Sequence, residues 1–166
     1  FLALTGYFFV DSISIPFPEA TNRVWIIRST AIFILWSPLL TMRLLAEEQK
    51  LGTLELLMTT PLRDYEIVLG KYLAALVILL VSVILTLFYG LLLTWFGDPD
   101  VGPFITGYIG LFLYGATTIA LGLLASSLTG NQMVAAVIGF GALLLLTLIE
   151  QAADITSGNV ALVLEE

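Results

Sequence analysis

Residues 41–71 read TMRLLAEEQKLGTLELLMTTPLRDYEIVLGK, and this stretch decides how the chain on either side of it must be arranged. It carries four of the six basic residues, Arg43, Lys50, Arg63 and Lys71, together with Glu47, Glu48, Glu55, Asp64 and Glu66. So many charges in one short segment must sit in water or at a headgroup boundary. The runs before and after it are apolar for long enough to cross a bilayer. A charged hinge between two membrane spans is therefore the organising feature.

Composition agrees. Of 166 residues, 59% are hydrophobic and only 11% charged, and the mean hydropathy of +1.04 lies far outside the range of soluble domains. The apolar segments are continuous and rich in Leu, Ile, Val and Ala, whereas a barrel would show short alternating strands. The predicted fold class is all-α, a polytopic transmembrane helix bundle. The net charge is -7; no nucleic-acid partner is expected, and membrane lipid is. With no Cys and no His, thiolate metal sites, Cys nucleophiles and imidazole bases are excluded.

Outward from the hinge, residues 24–45 are apolar except for Arg28 near one end and Arg43 near the other, a run of roughly 33 Å as a helix. Pro38 lies inside it and predicts a bend. Residues 1–10 are too short to cross and are expected to be the end of a truncated span. They lead into a loop over 11–23 that contains Pro16 and Pro18. Beyond the hinge, spans are predicted over 72–96, 104–125 and 133–149. They are separated by the turn-rich GDPDVGP at 97–103 and the polar SSLTGNQ at 126–132, and a polar, acidic tail follows from Glu150. The whole is expected to be one transmembrane domain, itself a fragment.

Basic residues set the orientation. The hinge is rich in them, while the 97–103 loop and the tail have none, so the hinge is expected to face the cytoplasm with the SSLTGNQ turn. Arg23 and Arg28 dissent, since they fall on the outer side. Ala135 with Gly139, Ala116 with Ala120 and Thr118 with Gly122 form small-xxx-small pairs suited to close packing within one subunit.

Within the hinge, Leu44, Leu51, Leu54 and Met58 recur at helical spacing, and Arg43 can pair with Glu47 one turn on. The preceding span is thus expected to continue as an amphipathic helix. Thr59, Thr60 and Pro61 then break it, and either Thr60 with Pro61 or Asp64 as N-cap starts the next helix. The result is a helical hairpin over 46–71; a plain solvated loop is the other reading that periodicity leaves open.

Competing classes lack their residues. Intramembrane metalloproteases need His ligands, a serine hydrolase needs a base and a G-x-S-x-G turn, and an aspartyl enzyme needs Asp within the spans. No catalytic or metal-binding residue is expected. A secondary carrier or channel is the remaining alternative. It usually places ionisable groups near the midplane, where this chain offers only the hydroxyls of Ser82, Thr86, Thr117 and Thr118, which commonly bond back to their own helix.

The hinge also resembles a family signature. Glu47-Glu48, GTLELL at 52–57, Pro61 and EIVLGK at 66–71 are similar to the permeases of the ABC type 2 exporter family, particularly its gliding-motility and copper-enzyme-maturation branch. Pro38 with Met42-Arg43, and SSLT with Asn131-Gln132, fit as well. Gly130, where a basic residue is common, and Arg63-Asp64, in place of a frequent Ser-Arg, depart from the pattern. The resemblance implies a six-span permease, so that most of the first span and all of the sixth would lie outside this sequence. It also implies a prokaryotic inner-membrane location, a separate ATP-binding cassette subunit holding ATP and Mg, and a second permease subunit, identical or different. No cofactor would bind this chain, and the absence of a G-x-x-x-x-G-K-[ST] loop agrees. By that resemblance the hairpin is the cytoplasmic coupling element. Glu47, Glu48, Gly52, Thr53, Leu54, Glu55 and Pro61 are then the candidate contacts with the ATPase.

Overall fold

The computed structural model describes residues 1–13, 23–53, 63–96 and 101–164. Among them the regular structure is entirely helical: α1 (Leu2–Ile13), α2 (Arg23–Thr41), α3 (Ala46–Leu51), α4 (Asp64–Phe96), α5 (Val101–Ser127) and α6 (Gln132–Leu164). Four stretches, Trp25–Leu51, Asp64–Leu92, Gly102–Ser127 and Gln132–Ala153, are long and apolar enough to cross a membrane. Many of the large apolar side chains on α4 and α6 point outward, among them Leu73, Val77, Leu91, Val137 and Leu145. This is the pattern of helices solvated by lipid on one side.

The centre of the bundle is the seam between α2 and α5, its most extensive helix pair. Gly107 faces Ile26, Gly115 faces Phe33, and Gly122 faces Thr41. Residue numbers rise together along both helices, so the pair is parallel, and the spacing of seven to eight keeps one stripe of each helix in register with the other. A Cβ at Gly115 would stand 2.9 Å from the Phe33 ring and 2.8 Å from Leu79 of α4, so any larger residue there would make these neighbours shift. On the other side, Gly139 of α6 sits against Pro38 and Ala125. Gly122 and Gly139 of the expected small-residue pairs thus pack helices inside one subunit, whereas Ala120 of the Ala116–Ala120 pair is exposed.

At the end of the bundle remote from the hinge, aromatic side chains fill the core. Trp25 lies edge-on to Phe9 and close to Tyr108 and Tyr89, and its indole N–H donates to the Thr5 carbonyl at 2.9 Å. Tyr108 donates to the Thr86 carbonyl at 2.9 Å and Tyr89 to that of Leu2 at 3.1 Å. Each ring therefore buries its body and satisfies its polar tip. The buried hydroxyls of Thr5, Ser29, Ser37, Thr41, Thr86, Thr118 and Ser126 all donate to backbone carbonyls, which hydrocarbon surroundings require. Ser82 and Thr117 also bond back to their own helices, so none of the four polar candidates for a pathway offers a free hydroxyl proton.

Several boundaries differ from expectation. α1 runs to Ile13 rather than ending near residue 10, and Asp11, placed on it, pairs with Arg28 of α2. Arg28, which dissents from the expected orientation, thus has a local counter-charge. α6 runs on to Leu164, well past 149. Glu150 marks where the apolar stretch stops, whereas a helix ends only when its backbone hydrogen bonding is broken. α2 stops at Thr41 and does not continue as one amphipathic helix: residues 42–45 form a turn before α3 begins. Pro38 lies inside α2, and its carbonyl accepts the Met42 amide at 2.8 Å.

Candidate functional site: the mount of the charged hinge

α3 has only six residues, too short to hold itself together in isolation. Its charges suit its dipole, with Glu47 and Glu48 in the first turn and Lys50 in the last. Its own N-cap, Leu45, has no side chain able to accept. The acceptor comes from another helix. The Oγ of Ser126, near the end of α5, accepts from the Leu45 amide at 3.1 Å and the Ala46 amide at 3.0 Å, and donates to the Met42 carbonyl at 3.3 Å. Ser126, Leu45 and Ala46 are all buried. One hydroxyl therefore supplies the cap that α3 lacks and ties the 42–45 turn to α5.

Two further contacts fix α3 to the same end of the bundle. Gln49 Nε2 donates to the Ser127 carbonyl at 3.0 Å, and Gly130 in the α5–α6 turn lies under Gln49 and Lys50, so close that a Cβ there would stand 3.6 Å from Gln49 Cβ. From α4, Lys71 Nζ donates to the Leu44 carbonyl at 2.6 Å and pairs with Glu48 Oε1 at 2.6 Å. The other Glu48 oxygen, Oε2, is buried without a hydrogen-bond partner. α3 closes with Gly52 at φ 70°, a left-handed cap whose N–H donates to the Gln49 carbonyl at 3.3 Å. The Thr53 hydroxyl turns back to the Glu48 carbonyl at 3.4 Å.

Of the expected contact residues, the structure brings Glu47, Glu48, Gly52 and Thr53 together on and just after α3; Leu54, Glu55 and Pro61 lie outside the described residues. The expected Arg43–Glu47 pair gives way to Glu48–Lys71 among the described residues, because residues 42–45 leave the helix and break the one-turn spacing. Leu44 packs against the core, but Leu51 is exposed while Leu45 and Ala46 are buried, so the anticipated stripe does not continue as a packed face to Leu51. Asp64 is not an N-cap. α4 starts on it, and Arg63 takes the cap position, its amide held by Glu66 Oε2 at 2.9 Å in the reciprocal half of a capping box.

Sequence reading missed Ser126, Gln49 and Lys71 as parts of the mount. The SSLT segment and the terminal Lys of EIVLGK belong to the family resemblance, but no sequence pattern places Ser126 on an amide eighty residues earlier. The turn that follows supplies its own cap: Asn131 Oδ1 accepts from the Met133 amide at 3.0 Å and starts α6. The described side chains of the site include no group of three or more residues suited to a metal ion.

A bundle of apolar helices that holds a short charged helix against its own end is a membrane component with a built projection. The chain belongs to the ABC-2 family of transporter proteins, whose model matches residues 19–150, and so it is a transporter permease domain. It is 32% identical over 88 residues to the probable multidrug ABC transporter permease YbhR of Escherichia coli strain K12, and equally to that of Escherichia coli O157:H7. The match takes in 52% of this chain and only 23% of either relative. No solved structure matches.

Proposed function

We propose that this chain forms part of the membrane-spanning subunit of an ABC exporter in a prokaryotic inner membrane. It moves substrate with energy from ATP hydrolysed by a separate cassette subunit, which holds the nucleotide and Mg. The hinge over 46–71 faces the cytoplasm and is the coupling element, with Glu47, Glu48, Gly52, Thr53, Leu54, Glu55 and Pro61 as its contact region. A second permease subunit completes the pathway. The observation that carries this reading is the mount itself: a six-residue charged helix is capped by a buried hydroxyl from another helix, so displacement at its exposed side is delivered to the bundle instead of being lost in a loose loop. The name of the YbhR relative, a probable multidrug permease, supports a drug as cargo, and a described bundle in which each buried hydroxyl donates to the backbone is compatible with an apolar one. The resemblance of the hinge to the gliding-motility and copper-enzyme-maturation branch supports a placement near it.

Co-expression with the cassette subunit tests the reading. Leu54→Asp and Glu55→Lys are expected to leave membrane insertion intact while reducing co-purification of the ATPase and ATP-driven transport in vesicles. Leu54→Asp is the more damaging, because a buried apolar anchor is worth about 2 kcal/mol or more and a rim charge less than about 1 kcal/mol. Wild-type assembly and transport in both variants would reduce the hinge to a passive linker.

A further inference from the structure

The attachments of α3 are unequal, and they sort the helices around it into two sets. Toward α5 the link is short and backbone-centred. Ser126 is fully buried and engages three main-chain groups of residues 42–46, and Gln49 adds a bond to the Ser127 carbonyl. α2 runs directly into this turn and shares the glycine-lined parallel seam with α5. Ser37 crosses that seam to donate to the Thr118 carbonyl at 2.9 Å. Toward α4, by contrast, the polar link among the described residues is one flexible side chain, Lys71. Residues 64–70 preceding it are exposed apart from the half-buried Ile67, and the next tie of α4 to the bundle is the Tyr72 hydroxyl on the Ala116 carbonyl.

The ion pair at Lys71 is only half satisfied. Glu48 offers Oε1 to the ammonium, while Oε2 is buried with no donor. With Oε2 buried and unbonded, the carboxylate loses solvation that the pair does not fully restore, so opening the pair costs less than its 2.6 Å distance suggests. The backbone bonds at Ser126 have no such deficit.

We infer that α3 moves as one body with α2 and α5, with Ser126 as the residue that positions it, and that Lys71 is a releasable latch holding the inner end of α4 to that body. Motion imposed on α3 is then passed to the α2–α5 pair, and the inner end of α4 is the part from which they separate. This rests on the coupling reading for its physiological trigger, although the division into fixed and releasable links is testable without nucleotide.

The chain has no Cys, so pairs of spin labels can be placed at will on Leu51, Leu69 and Leu124, all exposed. Dipolar EPR in lipid nanodiscs should show Lys71→Gln lengthening and broadening the 51–69 distribution while 51–124 stays as in the parent. Lys71→Arg should restore 51–69. Ser126→Ala should broaden 51–124, and Ser126→Thr, which keeps the hydroxyl, should do so less. An unchanged 51–69 distribution in Lys71→Gln, or both pairs shifting together, overturns the proposal, and the Lys71 arm decides it even if Ser126→Ala fails to fold. With the ATPase present, nucleotide turnover should move 51–69 and leave 51–124 still. If the nucleotide-free results hold and turnover moves neither pair, the latch stands and the coupling reading falls.

Discussion

Replacing Gly122 by Ala is a small change whose effect follows directly from the α2–α5 seam. A Cβ built on Gly122 overlaps the Thr41 hydroxyl oxygen outright and stands 3.1 Å from Thr41 Cβ and 3.3 Å from its Cγ2. Thr41 has little freedom to yield: it is β-branched, fully buried, and its hydroxyl donates to the Ser37 carbonyl at 2.8 Å. Overpacking of this kind costs about 1–3 kcal/mol, partly offset by up to about 1 kcal/mol from the better helix propensity of Ala. The net expectation is a loss of about 0–2 kcal/mol. Gly110, also on α5, provides the control, because nothing lies within 4 Å of a Cβ there; Gly110→Ala should gain about 0.5–1 kcal/mol. The two glycines on one helix should thus differ by about 2 kcal/mol, more than tenfold in folded-to-unfolded ratio. Unfolding in mixed micelles titrated with SDS, followed by the fluorescence of Trp25 and Trp36, measures this. A double-mutant cycle with Thr41→Ala should show coupling of about 1 kcal/mol, since removing the hydroxyl and methyl makes room for the new Cβ. Equal effects at Gly122 and Gly110, or strict additivity with Thr41→Ala, would refute the seam.

Two further predictions concern the topology of the bundle and the path of α2. A single Cys at Asp98 should react with an impermeant reagent in intact cells, while one at Lys50 should react only after the membrane is opened; the reverse pattern would invert the topology. Pro38→Ala should straighten α2, because a mid-helix Pro withholds one hydrogen bond and crowds the preceding turn. Spin-label distances across that helix that stay unchanged would mean that packing of Pro38 against Gly139, and not the missing bond, sets its path.

The sequence alone determined the class of the molecule, because the bilayer is a severe solvent. Runs of some twenty apolar residues have few other uses, and a charged segment between them has to lie outside the hydrocarbon. That much placed the hinge, four long apolar helices and the side on which the 126–132 turn belongs relative to the hinge; Ser126, Ser127 and Gly130 do meet residues 42–50. Composition was a poorer guide to where helices stop. Glu150 reads as the end of a span, yet α6 continues through it to Leu164, since charge reports the membrane boundary and backbone bonding reports the helix. Only the tertiary structure decided how the hinge is held. Ser126 caps amides eighty residues away, Lys71 closes on Leu44 and Glu48 across the bundle, and Gly107, Gly115 and Gly122 acquire their meaning from Ile26, Phe33 and Thr41 opposite. A serine, a lysine or a glycine has the same local preferences wherever it stands; which main-chain group or side chain lies within reach is set by helices that pack together only after each has formed.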